Sequence, residues 1–202
     1  IQNAVYGNRY EQHFPRGRRG SYYEKNRRQR MIFYISDTHF GDERIMKLSK
    51  RPFLDVDEMN NVLIEKWNDK VSVCDEVYII GDFAFNDKIA NEVLDSLNGR
   101  LHLIIGNHDN LSEETLKRFS TVSQILTIND SGRSVCLCHY PLLSYENSIY
   151  GGYHIFGHIH NNTADIAYKI TENIPHIYNC GVDVNDFAPQ TLDELKNRKN
   201  DK

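Results

Sequence analysis

The segment at residues 101–109 limits the choice of fold most strongly, because an apolar run ends there in a glycine and three polar side chains. It reads Leu-His-Leu-Ile-Ile-Gly-Asn-His-Asp. A short, mostly apolar run is typical of a strand buried on both faces, and the glycine lets the chain turn sharply. The polar residues then lie at the carboxyl edge of a sheet, where open α/β sheets bind ligands. Alone, the segment could equally be an Asx-type turn that caps a core strand.

The same transition from an apolar run to ligand-capable residues occurs four more times. The runs are residues 32–35, 77–80, 135–138 and 153–156, and they lead into Asp37-Thr38-His39, Gly81-Asp82, His139-Tyr140-Pro141 and Gly157-His158-Ile159-His160. A single histidine at such a place is more often a satisfied core or turn residue than a ligand. Five segments that end in the same way instead predict five strands whose polar ends meet at one edge.

The first half of the chain alternates strands with helices. Residues 44–49 predict a short helical turn, and residues 57–71 predict an amphipathic helix with one apolar stripe. Residues 89–97 predict another helix, which Gly99 ends. Because connections between strands are short and right-handed, these elements predict a largely parallel sheet with covering helices.

The second half has a different character. From about residue 120 the sequence predicts strands separated by turns, including residues 129–132, and no helix before Leu192. Thr191 and Glu194 form a capping box that opens a short C-terminal helix. This half therefore predicts a second sheet, mixed or antiparallel. The expected fold class is α/β, a four-layer α/β/β/α sandwich of two mixed sheets flanked by helices.

Composition is that of an ordinary globular chain. The 202 residues, 40% of them hydrophobic, suffice for one domain with a substantial core, which we place at residues 31–202. No apolar run approaches the ~20 residues of a membrane span, and residues 1–30 lack the apolar centre of a signal peptide. We therefore expect a cytoplasmic protein without membrane contact. Four cysteines without zinc-type spacing are interpreted as reduced packing residues: Cys74, Cys136, Cys138 and Cys180.

Residues 1–30 have the character of a basic N-terminal arm or extension. They carry eight Lys/Arg against two Asp/Glu, whereas the other 172 residues carry 16 against 26. An acidic body argues against capture of nucleic acid by the domain itself, because such binding depends on phosphate neutralisation. The arm could bind nucleic acid or another subunit, although a solvated tail is the more common meaning of this composition. Met31 directly precedes the first strand, so Met31 could be the natural first residue and residues 1–30 an extension added before it.

The polar edge offers carboxylate, carboxamide and imidazole groups. These are hard-to-borderline ligands that suit transition metals, and the thiolates of structural zinc sites are missing from the pattern. Seven candidate ligands exceed the need of one ion. A carboxylate shared by two ions uses them all, and ions ~3.5–4 Å apart can stabilise both the attacking and the leaving oxygen of a phosphoryl displacement. We expect two divalent transition-metal ions, Mn²⁺ first, with Fe, Zn²⁺, Co²⁺ or Ni²⁺ as alternatives.

At this point the sequence resembles the calcineurin-like metallophosphoesterase superfamily. The signature of that family reads Asp-x-His, Gly-Asp, Gly-Asn-His-(Asp/Glu), His and Gly-His-x-His. Every block occurs here in the same order, between Asp37 and His160. Smaller matches at residues 36–41, 51–53 and 81–85 are similar to a compact bacterial or phage branch. The resemblance implies a metal-dependent phosphoric ester hydrolase.

The resemblance also implies a role for each polar residue. The implied ligands are, for one ion, Asp37, His39 and His160; for the other, Asn107, His139 and His158; and, as a bridge, Asp82. His108 would be the general acid for the leaving oxygen, and Asp109 would orient it. A bridging hydroxide would be the nucleophile, which leaves proton donation as the task for an imidazole.

Differences between this sequence and the motifs of other branches of the family narrow the range of expected substrates. Phe85 and Asn86 stand where protein Ser/Thr phosphatases and diadenosine tetraphosphate hydrolases have an Asp and a phosphate-gripping Arg. Phe85 also cannot serve as the Tyr ligand of purple acid phosphatases. Asp42 stands where related compact sequences often carry His, which alters the contacts near residues 41–44. Three arginines could contact phosphate, although each is more commonly a surface charge: Arg44, Arg51 and Arg133.

The expected function is hydrolysis of a small phosphodiester such as a cyclic nucleotide, because the additional phosphate-gripping arginine is missing. A phosphomonoesterase is the alternative within the same chemistry. In a different class, the chain could be a nucleic-acid-binding module with a structural metal site. Seven ligands and the unliganded pair His108-Asp109 exceed what a structural site needs, which favours an enzyme.

Overall fold

The computed structural model describes residues 30–200, and within this part of the chain there are eight strands, six α-helices and two short 3₁₀ helices, at Ser148–Tyr150 and Val182–Val184. The strands are β1 (Ile32–Ile35), β2 (Glu76–Ile80), β3 (Arg100–Ile104), β4 (Thr121–Ser123), β5 (Ile125–Asp130), β6 (Arg133–Cys138), β7 (Tyr153–Phe156) and β8 (Ile177–Asn179). The helices are α1 (Glu43–Leu48), α2 (Val56–Lys70), α3 (Asp87–Leu94), α4 (Glu113–Leu116), α5 (Ile166–Thr171) and α6 (Leu192–Asn200). All five strands expected to deliver ligands are present.

The first sheet contains β1, β2, β3 and β4 in that order, and every pairing is parallel. It is therefore wholly parallel, as the alternation of strands and helices predicted, and only the description of both sheets as mixed was wrong for it. The short strand β4 belongs to this sheet, although the sequence pattern placed everything after residue 120 in the second one. Parallel strands put their carboxyl ends at one edge, so the chain segments that follow β1, β2 and β3 emerge side by side.

The second sheet has the order β5, β6, β7, β8. The pair β5–β6 is antiparallel, and the pairs β6–β7 and β7–β8 are parallel, so this sheet is mixed as predicted. The predicted turn at residues 129–132 joins β5 to β6. Ser131 and Gly132 both have positive φ there, as tight hairpin turns require, and Asn129 Oδ1 accepts a hydrogen bond from Gly132 N–H.

The core divides into three apolar layers that define the sandwich. On the outer face of the first sheet, helix α2 buries the stripe Met59, Leu63 and Trp67, while α3 packs beside it. Asp55 begins α2 as its N-cap, because its side chain accepts a hydrogen bond from Glu58 N–H. A second cluster fills the space between the sheets, and a third covers the outer face of the second sheet. The four-layer α/β/β/α sandwich is thus confirmed.

Helix α5 shows that the expectation of no helix before Leu192 was wrong. Ala167 and Tyr168 of this helix pack near Phe156 of β7 and supply the outer layer of the second sheet. The helix has only six residues, and Ile166 and Ile170 are exposed. Because a helix this short presents no repeated apolar face, its sequence carries no clear helical period.

The C-terminal helix α6 begins at the predicted capping box. Glu194 N–H donates to Thr191 Oγ1 at 3.3 Å, and Thr191 N–H donates to Glu194 Oε2 at 2.7 Å. Leu192 and Leu195 place the helix against the cluster between the sheets. The helix therefore closes one side of the interior.

The remaining expectations concern cysteines, membranes and the arm. All four cysteines are free, and three are buried packing residues, but Cys74 is exposed, so that interpretation was wrong for it. Among residues 30–200 there is no helix that combines the length and the apolar character needed to cross a membrane. The predicted arm lies outside the described residues except for Arg30, which forms an ion pair with Glu76.

Candidate metal centre

The polar ends of β1, β2, β3, β6 and β7 converge on one site, and two groups of side chains in it are close enough to share an ion. The ligand atoms of Asp37, His39 and His160 all lie within 4.8 Å of one another. Those of Asp37, Asp82 and His139 do so as well. The first group coincides with the set expected for one ion. In this grouping Asp37 is the shared carboxylate, whereas the bridging role of Asp82 stays a prediction.

The backbone at these residues is strained. Five of the seven expected ligands are non-glycine residues in the left-handed region: Asp37, His39, Asp82, His158 and His160. Such a conformation costs about 1–3 kcal/mol per residue and persists only where the surroundings enforce it. The strained turns aim consecutive polar side chains back toward one point. Strain concentrated at one place in the fold is typical of a functional site.

Two glycines allow the loops to approach one another. A Cβ atom on Gly106 would lie 2.3 Å from Asp82 Oδ1, and one on Gly157 would lie 2.5 Å from Asp37 Oδ2. Neither contact is possible for a side chain, so only glycine permits the carboxylates to reach their positions. The glycines in Gly-Asn-His-Asp and Gly-His-x-His thus serve the packing of the site.

Hydrogen bonds fix the orientation of two histidines. His139 Nδ1 lies 2.8 Å from the carbonyl oxygen of Ile80, and His160 Nδ1 lies 2.7 Å from Asp183 Oδ2. These acceptors place the proton on Nδ1 and leave Nε2 as the ligand atom. His139 Nε2 then lies 3.4 Å from Asp82 Oδ2, and His160 Nε2 lies 3.8 Å from Asp37 Oδ1.

The residues present fit divalent ions. His39 Nε2 is buried without a hydrogen-bond partner among residues 30–200, although it lies 3.5 Å from Asp82 Oδ2. A buried polar atom of this kind needs a partner, and a metal ion between the nitrogen and the carboxylates would supply one. The donor set of imidazoles, carboxylates and a carboxamide suits a transition metal.

The surrounding protein groups favour the metal-binding protonation state of some of these side chains and oppose that of others. Burial would raise the pKa of Asp82, but the hydrogen bond and charge of His139 lower it to about 2. Burial lowers the pKa of His39 to about 3. Burial also opposes the charge on His139, yet Asp82 and Asp37 together raise its pKa to about 9. Metal binding at His139 therefore releases a proton, because an ion takes the place of the proton on the ring.

The two remaining expected ligands lie at the exposed side of the site. Asn107 Oδ1 is 3.2 Å from His139 Nε2, so this carboxamide oxygen faces the same atom as Asp82. His158 N–H donates to both oxygens of Asp37 at 3.0 Å, and its ring meets the His139 ring edge-on. The structure thus brings all seven expected ligands together.

His108 and Asp109 lie beside the ligands and differ in exposure. The exposed His108 ring is 5.4 Å from the ring of His39, measured between centroids, while its backbone N–H donates to Asp82 Oδ1. The Asp109 carboxylate accepts hydrogen bonds from the backbone N–H groups of Asp82, Phe83 and Gly106. Asp109 therefore ties the β2 and β3 loops together. The expectation that it also orients the His108 ring stays a prediction.

A cleft of about 600 Å³ opens over the site. His39, His108, His158 and His160 line its inner end. Helix α1 and residues 161–165 form its walls. The cleft gives a small molecule access to the predicted ligands and to the His108 ring.

Each of the three arginines considered as a phosphate contact is paired with an aspartate. Arg44 lines the cleft, but Asp42 accepts two hydrogen bonds from its guanidinium at 2.9 and 2.8 Å. Arg133 pairs with Asp193 in a second cavity. Arg51 is buried, so its interpretation as a surface charge was wrong.

Asp183 is a residue of the site that the sequence pattern missed. Its side chain contacts the buried Arg51 and the predicted ligand His160. It follows strand β8 through Gly181 and Val182, so the same transition from an apolar run to a polar residue could have revealed it. The short run at residues 177–180, interrupted by Asn179, hid that signal.

The comparisons with known proteins agree with this geometry. A family model described as the calcineurin-like phosphoesterase superfamily domain matches residues 31–182. The uncharacterised protein MJ1445 of Methanocaldococcus jannaschii is 36% identical over 167 residues, which are 81% of this chain and 88% of that protein. The crystal structure of the Aquifex aeolicus protein of unknown function AQ665 superposes with a TM-score of 0.67 at 27% identity. That match covers 83% of this chain and 98% of the other.

Proposed function

Because the chain belongs to the calcineurin-like phosphoesterase superfamily and is a metal-dependent hydrolase of phosphoric esters, we propose that it cleaves a small phosphodiester such as a cyclic nucleotide. The observation that carries the proposal is the pairing of Arg44 with Asp42 beside the predicted metal ligands. Both carboxylate oxygens of Asp42 accept hydrogen bonds from the guanidinium, which offsets the positive charge that a terminal phosphate would need. A diester needs less such neutralisation, because a monoester carries a charge of about −1.5 to −2 at pH 7.

The seven ligands would hold two divalent ions, with Asp82 between them. When bound, the ions supply Lewis acidity and lower the pKa of water to near neutrality. The left-handed turns at the ligands hold the carboxylates and imidazoles in place before substrate arrives. The pKa of about 2 keeps Asp82 ionised throughout the physiological range, as a bridging ligand must be.

His108 would donate a proton to the leaving oxygen. Its exposed ring lines the cleft, while the hydrogen bond from its N–H to Asp82 fixes its backbone next to the predicted bridge. An imidazole can hold a proton and release it to a leaving oxygen, which is the task of a general acid. The ring would therefore lie beside the ions without being needed as a ligand.

A phosphomonoesterase is the second candidate, and Lys50 favours it. Lys50 and Arg44 are the two lysine or arginine residues among the described residues that line the cleft. An ammonium group at the cleft could neutralise the additional charge of a monoester.

The two candidates are separated by a substrate screen on protein loaded with Mn²⁺. The substrates are bis-nitrophenyl phosphate, nitrophenyl phosphate, and cyclic nucleotides paired with the corresponding nucleoside monophosphates. We expect kcat/KM for the diesters to exceed that for the matched monoesters at least tenfold. The Asp82→Asn protein is the control for contaminating activity. A preference for monoesters, reduced by Lys50→Ala, would establish the second candidate instead.

A further inference from the structure

An ion pair lies buried behind the candidate metal centre. Arg51 Nε is 2.8 Å from Asp183 Oδ1, and Arg51 Nη2 is 3.1 Å from Asp183 Oδ2. The two side chains are 0% and 1% exposed. This is the two-point geometry in which a guanidinium and a carboxylate hold each other in one orientation.

The outer atoms of the pair contact both segments that carry the ligands of one ion. Asp183 Oδ2 is 2.7 Å from His160 Nδ1. Arg51 donates from Nη2 to the carbonyl oxygen of Asp37 at 2.6 Å, and from Nη1 to that of Thr38 at 2.8 Å. One ion pair therefore fixes the imidazole of His160 and the strained backbone between Asp37 and His39.

The contacts do not extend to the other ligand set. Among the hydrogen bonds of the described residues, none joins Arg51 or Asp183 to Asn107, His139 or His158. His139 Nδ1 instead forms a hydrogen bond with the carbonyl oxygen of Ile80. The direct contacts of the ion pair are therefore confined to the segments of Asp37, His39 and His160, whereas a backbone carbonyl holds His139. The two ligand sets meet at the Asp37 carboxylate, which accepts hydrogen bonds from His158 N–H.

A buried ion pair is a costly way to stabilise a fold, because desolvation offsets its attraction. Its value here is geometric. A carboxylate that accepts the Nδ1 proton of a metal-binding histidine fixes the ring and strengthens Nε2 as a donor. The planar guanidinium holds two carbonyl oxygens and the carboxylate at once, which an ammonium group cannot do in the same arrangement.

We propose that Arg51 and Asp183 are positioning residues that act together on the Asp37, His39 and His160 site, and that they set the affinity of one ion independently of the other. The proposal rests on the proposed two-ion function. Loss of such a partner typically weakens metal binding about 10- to 100-fold. That loss should fall on one ion only.

The test is a titration of metal-stripped protein with Mn²⁺. Calorimetry gives the affinities, and electron paramagnetic resonance separates the coupled signal of two neighbouring ions from that of one. Asp183→Asn keeps the shape of the side chain and removes its charge. We expect one ion to bind as in the wild type and the second to bind at least tenfold more weakly, so that the one-ion signal persists at two equivalents.

A second variant and a control complete the experiment. Arg51→Lys keeps the charge but loses the planar guanidinium that makes several hydrogen bonds at once, and it should weaken the binding of the same ion. If Asp183→Asn does not fold, Arg51→Lys is the variant that tests the proposal. Asp130→Asn is the control, because Asp130 is also buried and paired with an arginine, Arg133, but lines the second cavity. Asp130→Asn should retain both affinities.

Three results would overturn the proposal. Unchanged affinities in a folded Asp183→Asn or Arg51→Lys protein would show that the pair serves the fold alone. An equal loss of affinity for both ions would show that the pair does not act on one ion selectively, contrary to what the contacts predict. If the wild type itself binds fewer than two ions, the two-ion function fails first, and that outcome is visible before any variant is titrated.

Discussion

Several of the expected ligands occupy backbone conformations that are unfavourable for residues other than glycine. Asp37, His39 and Asp82 have positive φ, at a cost of about 1–3 kcal/mol each, and all three are buried. Hydrogen bonds from Arg51 to the carbonyl oxygens of Asp37 and Thr38 offset part of this cost. The geometry of the centre is therefore enforced by the fold before any ion binds.

The role of His108 can be separated from metal binding. His108→Ala should leave two ions bound and lower the rate by about 10²- to 10⁴-fold for an ester with an alkoxide leaving group. Nitrophenolate leaves without a proton, so the nitrophenyl ester should be affected less. The measurement compares kcat for both ester types and the metal content. Loss of an ion, or equal slowing of both esters, would contradict the general-acid role.

His102 gives the fold a pH dependence away from the site. Both ring nitrogens are buried without a hydrogen-bond partner in the part of the chain that the structure describes, and the ring stacks on Tyr78. Burial lowers the pKa of His102, so the unfolded chain takes up the proton more readily. Stability should therefore fall as the pH drops below about 6.5, by up to about 1.4 kcal/mol per pH unit until the lowered pKa is reached.

The variant His102→Phe isolates this contribution. Its free energy of unfolding, relative to that of the wild type, should rise as the pH is lowered from 8 to 5. Urea unfolding at several pH values measures the difference, and contributions from other groups cancel between the two proteins. A difference that does not change with pH would show that His102 is protonated equally in the folded and unfolded chains.

The convergence of the seven expected ligands was predictable from the sequence, whereas the contacts that support them were not. Each expected ligand follows an apolar run, and that local pattern can be recognised in the sequence without a structure. Arg51 and Asp183 are 132 positions apart and meet only because β8 continues alongside β1, where Ser36 pairs with Gly181. Contacts between distant segments leave no local pattern, so the sequence offered only a surface-charge interpretation of Arg51.

Strands and long helices followed the sequence closely, and short elements did not. Strands β1 and β7 have the predicted bounds, and α2 begins and ends within one residue of the bounds predicted for that helix. Helix α5 and strand β4 were missed or misplaced because they have six and three residues. Elements this short depend on tertiary packing, which periodicity does not report.

Helix α2 should contribute stability without affecting the centre. Leu63 is 1% exposed on the helix face that covers the first sheet. Leu63→Ala should lower the free energy of unfolding by about 2–5 kcal/mol through lost burial and a cavity. Leu54→Ala, at a position 91% exposed, is the matched control and should change it by less than about 0.5 kcal/mol. Urea unfolding measures both, and a loss of metal affinity in Leu63→Ala would contradict the separation of scaffold and site.

Charge is divided unequally along the whole molecule. Residues 1–30 are basic and the rest of the chain is acidic. The predicted ligands all belong to residues 37–160, within the segment that the family model matches. Catalysis should therefore depend on the acidic domain alone.

Removal of residues 1–30 tests this division. The shortened chain loses the partly exposed ion pair between Arg30 and Glu76, which is worth about 1 kcal/mol or less. We expect kcat to be unchanged and the free energy of unfolding to fall by no more than that amount. A large loss of activity would show that the arm completes the site, and salt-dependent binding of nucleic acid lost on removal would give the arm its own function.

The predicted two-ion centre can be tested directly by anomalous diffraction from crystals of the Mn²⁺-loaded, active protein. We predict two manganese peaks per chain, about 3.5–4 Å apart, one beside Asp37, His39 and His160 and the other beside Asn107, His139 and His158. Asp82 should lie between them. A single peak in fully active protein, or two peaks with Asp82 bound to neither, would contradict the shared-carboxylate centre.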